Sequence, residues 1–571
     1  MKPPRYPDWL PFAGLAFLAV VASISGIRNQ FAQDDFAIIL RNPLVHDLGA
    51  SWKFFTQPYW PPPFVPDLYR PLALLTYAVQ WAIGGGSPLI FRLVSYGLYA
   101  VVCTQVLRVA RLRLALPAGF AAAALFAVHP VHVEAVAMAV NQGELWVALF
   151  ASLAVAGYVR ARDRQAPLGL RLELGLSGLY LVACFFKENA LVLPGFLVAA
   201  ELVLVRTTES WTTRVGRVRR LFLLLALVAV SFYGVRTLVL RGDLVGSFTA
   251  EALAYLTMGQ RALTMLAVVP QWFRLLLWPA HLQGDYSPGE LVGQTAWGPE
   301  QTLGLLLLLL SALALGWAWR RAPMIAFGLL WCGIALFPVH NVLVPTGIVL
   351  AERTLFLPSV GAMLALGGLG ERLIRRVGYR TQVALAGGVG ILLILGVYRS
   401  TTRHPVWSDQ FNFWYHTANR DAPLSYRAHH ALAELYWGAK LEARAEQEYR
   451  MAIAQSPPRL TQVAVDYANR LRLKGFCYPA AELYRQALEV HPNFLNIRAS
   501  LIACLLHIGA YREARSLAHI GVSYGLQTES WARIRATADS ALRVGAPPGS
   551  VAIDLPSDSV SRHMGVGSDP R

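Results

Sequence analysis

Apolar runs of roughly 20 residues recur along the first 400 residues of this chain, with arginines set between them. A bilayer core needs about 20 apolar residues per helix. On that ruler, candidate spans fall near 9–27, 88–107, 116–130, 138–158, 172–186, 190–205, 221–240, 302–319, 322–340, 354–370 and 381–398. The expected fold class is therefore all-α, a polytopic membrane protein of about 11 transmembrane helices. Composition points the same way, because only 15% of the 571 residues are charged, against about 25% in soluble domains. The net charge of +17 comes with arginines between apolar runs, the mark of membrane topology and not of nucleic-acid binding. A soluble enzyme and a nucleic-acid binder are excluded. Five cysteines, most in apolar or helical runs, give no disulfide framework and no metal pair.

The first run follows a basic start (Lys2, Arg5) and leads into Arg28-Asn29-Gln30 without a small-residue cleavage site, so it reads as a retained helix. Connectors 1–8, 107–117, 159–172, 206–220, 320–322 and 371–380 hold 20 Lys and Arg, whereas 131–138, 281–300 and 341–352 hold none. That asymmetry places the N-terminus in the cytoplasm. The loop 28–87 and everything after 398 then lie on the far side. Residues 252–280 are expected to form a re-entrant or interfacial hairpin around Pro270. Arg70–Ala82 is apolar but too short to span, and reads as an interfacial helix.

After 398 the composition turns soluble. Ala445, Tyr449, Ala452 and Pro457 recur as Ala480, Tyr484, Ala487 and Pro492, and Ala514, Ala518 and Gly521 form a weaker third copy. This period is that of tetratricopeptide (TPR) helix pairs, which bury their apolar faces by stacking. The expected organisation is a membrane domain over 1–398, a linker over 399–425, and TPR repeats with a capping helix over 426–545. A disordered tail over 546–571 completes it. The repeats serve either as a packing module or as a peptide-binding groove.

Charged groups at membrane depth are expensive, so a cluster of them marks a candidate site. The far-side ends gather Asp34, Asp35, Arg70, His129, His132, Glu134, Asn141, Gln142, Glu144, Lys187, Glu188, Asp285, His340, Glu352 and Arg353. Singly, each has a bland reading: a cap for Asp34 or Asp35, a snorkelling Arg353, a local Lys187–Glu188 pair. Together they place carboxylates, cations and interfacial aromatics at one leaflet. Cations there suit a lipid phosphate, and a carboxylate beside them suits a general base. Although His129, His132 and Glu134 are close in sequence, Pro130 interrupts the helix between them and no bound metal is expected.

Several segments carry a resemblance: QDDFAIILRNPLV with YRPLALLTYAV, LFAVHPVHVEAVAMAVNQGEL, FKENAL, and PTGIVLAERTLFLPSVG. In this order they resemble the transmembrane and TPR repeat-containing (TMTC-type) O-mannosyltransferases and, more broadly, GT-C glycosyltransferases. The resemblance implies a GT-C fold and transfer of a sugar, mannose or a similar hexose, from a polyprenyl-phosphate donor. The acceptor is a hydroxyl, of protein Ser or Thr, on the non-cytoplasmic side, and configuration inverts. It implies Asp34 as catalytic base with Asp35 beside it, and Arg70, Arg353 and Lys187 at the donor phosphate. His132, Glu134, Gln142, Glu144, Glu188, Asp285 and Glu352 are the expected substrate-contacting set. The pattern departs at Gln142, where the family usually has Arg, and the repeat array is short. The first departure bears on the sugar or acceptor contact, and the second suggests a bacterial relative, with outer loops and TPRs in the periplasm (or the lumen, if in an endoplasmic reticulum membrane). Partners implied are the bilayer, the lipid-linked donor and a protein or peptide acceptor, which the TPRs are placed to bind. Against a lipid-linked-sugar flippase stands the absence of a two-fold repeat with charges at the midplane. A scaffold that merely presents TPRs needs no Asp34–Arg70 constellation.

Overall fold

The computed structural model describes residues 7–165, 167–242, 248–523 and 528–553, and the chain divides into two compact units. The first comprises 1–62, 66–286 and 293–421; the second comprises 63–65, 287–292 and 422–571. Among the described residues there is no β-strand. The basic start of the chain, Lys2 and Arg5, lies outside them.

Among the described residues of the first unit, six helices are long and apolar enough to cross a membrane: Pro88–Ala110, Ala139–Arg162, Trp211–Val239, Pro299–Arg321, Glu352–Ile374 and Tyr379–Trp407. A bent pair, Leu116–Ala127 with Pro130–Ala137, adds a seventh if it is one span. Eleven expected spans thus become six or seven by length and composition. The rest are shorter: Leu10–Ser23, Leu170–Phe186, Leu193–Val203 and Pro323–Leu336. Proline supplies the starts of many of these helices, at Pro71, Pro88, Pro117, Pro194, Pro299 and Pro323, since its missing N–H costs nothing in a first turn. Helices Pro88–Ala110, Ala139–Arg162 and Glu352–Ile374 are mostly buried, whereas Trp211–Val239, Pro299–Arg321 and Tyr379–Trp407 are mostly exposed. Leucine-rich exposure of that kind suits a lipid environment. The chain is a multi-pass membrane protein.

Two expectations change here. Residues 258–277 form one continuous helix, Met258–Leu277, running through Pro270, not a hairpin. Proline leaves the Leu266 carbonyl without its helical N–H partner, and Gly304 of the helix Pro299–Arg321 sits against that carbonyl, where any Cβ would collide. The neighbouring helix packs closely at this point, and the segment is one helix where the sequence suggested it would fold back. The supposed linker is also structured. Tyr379–Arg403 runs on through a 3-10 turn, His404–Trp407, to a short helix, Gln410–His416. Trp407, Phe413 and Trp414 are buried there, so 399–421 belongs to the membrane unit. The expected interfacial segment is the helix Pro71–Gly84, closed by Gly85 at φ +56°. It buries Ala73, Leu74, Tyr77 and Gln80 and exposes Val79 and Ile83.

The described residues of the second unit form a run of seven helices: Tyr426–Gly438, Glu442–Gln455, Gln462–Leu473, Cys477–Val490, Leu495–His507, Tyr511–Ser523 and Thr528–Val544. Each packs on the next. The recurring Ala445, Tyr449 and Ala452, Ala480, Tyr484 and Ala487, and Ala514, Ala518 and Gly521 are all buried at those contacts. Tyr449 stacks on Tyr467 at 4.7 Å, and the Trp531 ring occupies the space a side chain at 521 would need. Of the tail expected to be disordered, 546–553 folds back. Tyr511 Oη donates to the Ala546 carbonyl at 2.7 Å, and Gly549 N to the His507 carbonyl at 2.7 Å. Residues 554–571 lie outside the described residues.

Candidate functional site

Three cations at the loop ends of the first unit are each held by a glutamate from another segment. Arg70, at the start of the helix Pro71–Gly84, donates from Nε to Glu188 Oε2 at 2.8 Å, and the Tyr69 amide donates to Glu188 Oε1 at 3.1 Å. Lys187 Nζ donates to Glu144 Oε1 at 2.6 Å, and Asn189 Nδ2 to Glu144 Oε2 at 2.8 Å. Arg353 pairs through its guanidinium with Glu134, whose Oε2 also takes the Arg353 amide at 2.8 Å. The Arg70 guanidinium lies over the Tyr59 ring at 5.0 Å. These pairs join 70 to 188, 187 to 144 and 353 to 134, so the connections that carry these residues converge.

The three cations feel one another. Burial, with Arg70 and Arg353 nearby, pushes the Lys187 ammonium below its ordinary range against the opposing pull of Glu144. Burial would raise the Glu188 carboxyl, but Arg70 outweighs it and holds the group below the usual carboxylate range. The Arg353 and Lys187 side chains are both 17% exposed, whereas their partners Glu134 and Glu144 are 4% and 2% exposed. The cations are the accessible members of those pairs. A guanidinium has five N–H donors, so Arg70 and Arg353 keep donors beyond those their glutamates take.

Asp34 and Asp35, neighbours in sequence, differ sharply. Asp35 is fully buried, accepts from the Val140 and Ala139 amides at 2.9 and 3.3 Å, and lies 3.9 Å from Arg92. Burial pushes its carboxyl up to about 6, against the pull of Arg92 and the amides. Asp34 is half-buried, and its carboxylate has no hydrogen bond or ion pair among the described residues. It acts electrostatically on both Arg353 and Tyr59. A carboxylate with open lone pairs beside a cation cluster is what proton abstraction next to an anionic leaving group requires.

Several expected contacts are corrected. His132 is buried between Tyr99 Oη (2.9 Å) and Ser359 Oγ (2.7 Å), and its neighbour His129 meets the Leu276 carbonyl at 3.1 Å. Neither faces the cation cluster. Gln142 is fully buried, and its Nε2 donates to Gln80, Ser95 and the Phe91 carbonyl. It packs the bundle and is closed to a ligand. Glu352 is likewise fully buried and accepts from the Gln283 amide at 2.6 Å and from Tyr286 Oη at 3.2 Å. It anchors the loop on which Asp285 sits half-buried. Asp35 holds backbone and is not an open carboxylate. Among the described residues, no group of three or more His, Cys, Asp or Glu side chains is arranged to hold a metal ion. The sequence reading passed over Arg92, although an arginine inside the apolar run 88–107 was its signal. It also passed over Tyr59.

No family model matches the chain, and no solved structure matches it. Curated relatives do. The human protein O-mannosyl-transferase TMTC3 is 22% identical over 542 residues, covering 81% of this chain and 58% of that protein. Protein O-mannosyl-transferase Tmtc1 of Drosophila melanogaster is 26% identical over 71% of this chain. Tmtc2 of the same organism reaches 36% over 177 residues. The chain is a TMTC-type relative. It spans a little over half the length of the first of these curated relatives, at 58%.

Proposed function

We propose that the protein is a membrane glycosyltransferase that moves a hexose, mannose in the leading case, from a polyprenyl-phosphate donor to a hydroxyl of a protein Ser or Thr. The observation that carries this reading is the unpartnered Asp34 carboxylate within electrostatic reach of Arg353, in a cluster with Lys187 and Arg70. Asp34 takes the acceptor hydroxyl proton. The oxygen attacks the anomeric carbon while the bond from that carbon to the phosphate oxygen breaks. Arg70, Lys187 and Arg353 stabilise the charge arriving on the departing lipid phosphate, so no general acid is required. Attack from the face opposite the phosphate inverts the configuration.

The arginine asymmetry between connectors supports placing this chemistry on the non-cytoplasmic side. In this reading the shorter apolar helices, extended by the 3-10 turns Ile24–Gly26, Glu188–Val192 and Phe337–Val339, complete eleven crossings of a GT-C fold. The helix pairs of the second unit are read as three TPRs with a terminal helix, engaging the acceptor. Names of the relatives support the sugar and the acceptor class. The test is reconstitution in liposomes containing polyprenyl-phosphate mannose and an external Ser/Thr-rich peptide. Sugar appearing on the peptide is the expected result. Movement of the lipid-linked sugar between leaflets without peptide modification would overturn it in favour of a flippase.

A further inference from the structure

The Asp34 carboxylate has no hydrogen bond or ion pair among the described residues, yet the backbone that carries it is tied on both flanks. Arg92, on the helix Pro88–Ala110, donates from Nη2 to the Gln30 carbonyl at 2.5 Å and from Nε to the Asn29 carbonyl at 3.4 Å. The same Nη2 lies 3.9 Å from Asp35 Oδ2, and both side chains are at most 1% exposed. One guanidinium therefore grips the chain four residues before Asp34 and again one residue after it. The remaining ties come from other directions: Ser408 O takes the Gln30 amide at 2.6 Å, Gln410 Oε1 takes the Gln33 amide at 2.6 Å, and the amides of 139 and 140 hold Asp35. Gln33 stands at φ +48° just before Asp34, a left-handed turn that an ordinary side chain adopts only where surroundings enforce it.

We propose that Arg92 is a positioning residue for the Asp34 base, fixing the turn 29–35 so that the Asp34 carboxylate stands toward the cation cluster. This rests on the reading of Asp34 as the base. A buried Arg–Asp pair is also a common structural device whose loss destabilises a fold, so the two roles must be separated by rate and not by yield. The planar fork is what the geometry uses, since one group serves two carbonyls and a carboxylate in different directions. Lysine keeps the charge but is a point donor on a flexible stem.

The experiment compares Arg92→Lys, the double variant Arg92→Gln with Asp35→Asn, and Asp34→Asn, in purified full-length protein. Single-turnover transfer from polyprenyl-phosphate mannose is measured per donor-binding site, so that misfolded molecules drop out. A misplacement of about 1 Å costs on the order of 10²-fold in rate. Arg92→Lys is therefore expected to lose about that much with donor affinity retained. The double variant removes both buried charges together, which restores thermal stability but leaves transfer slow, because the carbonyls of 29 and 30 stay ungripped. Wild-type rates per site in the variants that fold would overturn the positioning role. Wild-type transfer by Asp34→Asn would instead remove the base reading, and this proposal with it.

Discussion

A glutamate beside each of Arg70, Lys187 and Arg353 lets a cation persist at the membrane edge without using all of its donors. Removing one cation should accordingly cost binding as well as rate. A charge-assisted hydrogen bond is worth about 1.5–3 kcal/mol, so Arg70→Ala should weaken donor affinity by roughly 10- to 100-fold, and turnover should fall too. Pairing it with Glu188→Gln, which removes the stranded carboxylate, should restore stability but not donor affinity. Affinity at the wild-type level in the single variant would take Arg70 out of the donor site. Asp35 makes a pH prediction of definite sign. Its carboxyl sits at about 6 in the fold, above the ordinary 3.8, so the native state holds this proton up to a higher pH than the unfolded chain. The contribution is fully present below about pH 4 and is lost as pH rises through 6, about 3 kcal/mol in all. Relative to Asp35→Asn, the wild-type thermal midpoint should rise as pH falls from 7 to 4.5. Parallel pH profiles would contradict the burial argument. The resemblance named Asp34 as the base with Asp35 beside it, but nothing in the sequence showed that Asp35 is covered. Two adjacent aspartates look alike until amides from residues 139 and 140, over a hundred positions away, cover one of them.

Helices set where those residues stand. Gly328 and Gly361 face each other across the contact of Pro323–Leu336 with Phe356–Ile374, and a Cβ on either would collide with the other's carbonyl. The second of these helices follows directly from the turn Glu352–Leu355 that carries Arg353. Overpacking costs about 1–3 kcal/mol. Gly361→Leu should therefore lower the thermal midpoint and weaken donor binding, whereas Gly370→Leu, with nothing within 4 Å, should do neither. Equal behaviour of the two variants would show that the crossing does not govern Arg353. Apolar periodicity made most of these helices legible, and small residues at 34–35-residue spacing made the C-terminal helix pairs legible. Close approaches were not. The continuous helix through Pro270 packs on Gly304, and the buried His132 meets Tyr99 and Ser359; such pairings across the chain leave no local periodicity. Gln142 was misread for the same reason, since its partners Gln80, Phe91 and Ser95 belong to two other helices.

At the scale of the whole molecule, the arginine asymmetry predicts a sidedness that can be checked directly. With the native cysteines replaced, a cysteine at 297 or at 440 should react with an impermeant maleimide from the non-cytoplasmic side. One at 215, exposed near the arginine-rich start of Trp211–Val239, should react only after the membrane is opened. The reverse pattern would invert the topology and move the proposed chemistry to the cytoplasm. The central claim is narrower than topology, namely that one open carboxylate beside three cations performs sugar transfer. Its most direct test is single-turnover transfer of mannose from polyprenyl-phosphate mannose to a Ser/Thr peptide by Asp34→Asn, with donor binding measured on the same preparation. A positioned base contributes about 10²–10⁴-fold, so transfer should fall by that order while the donor still binds. Transfer at the wild-type rate would contradict the account.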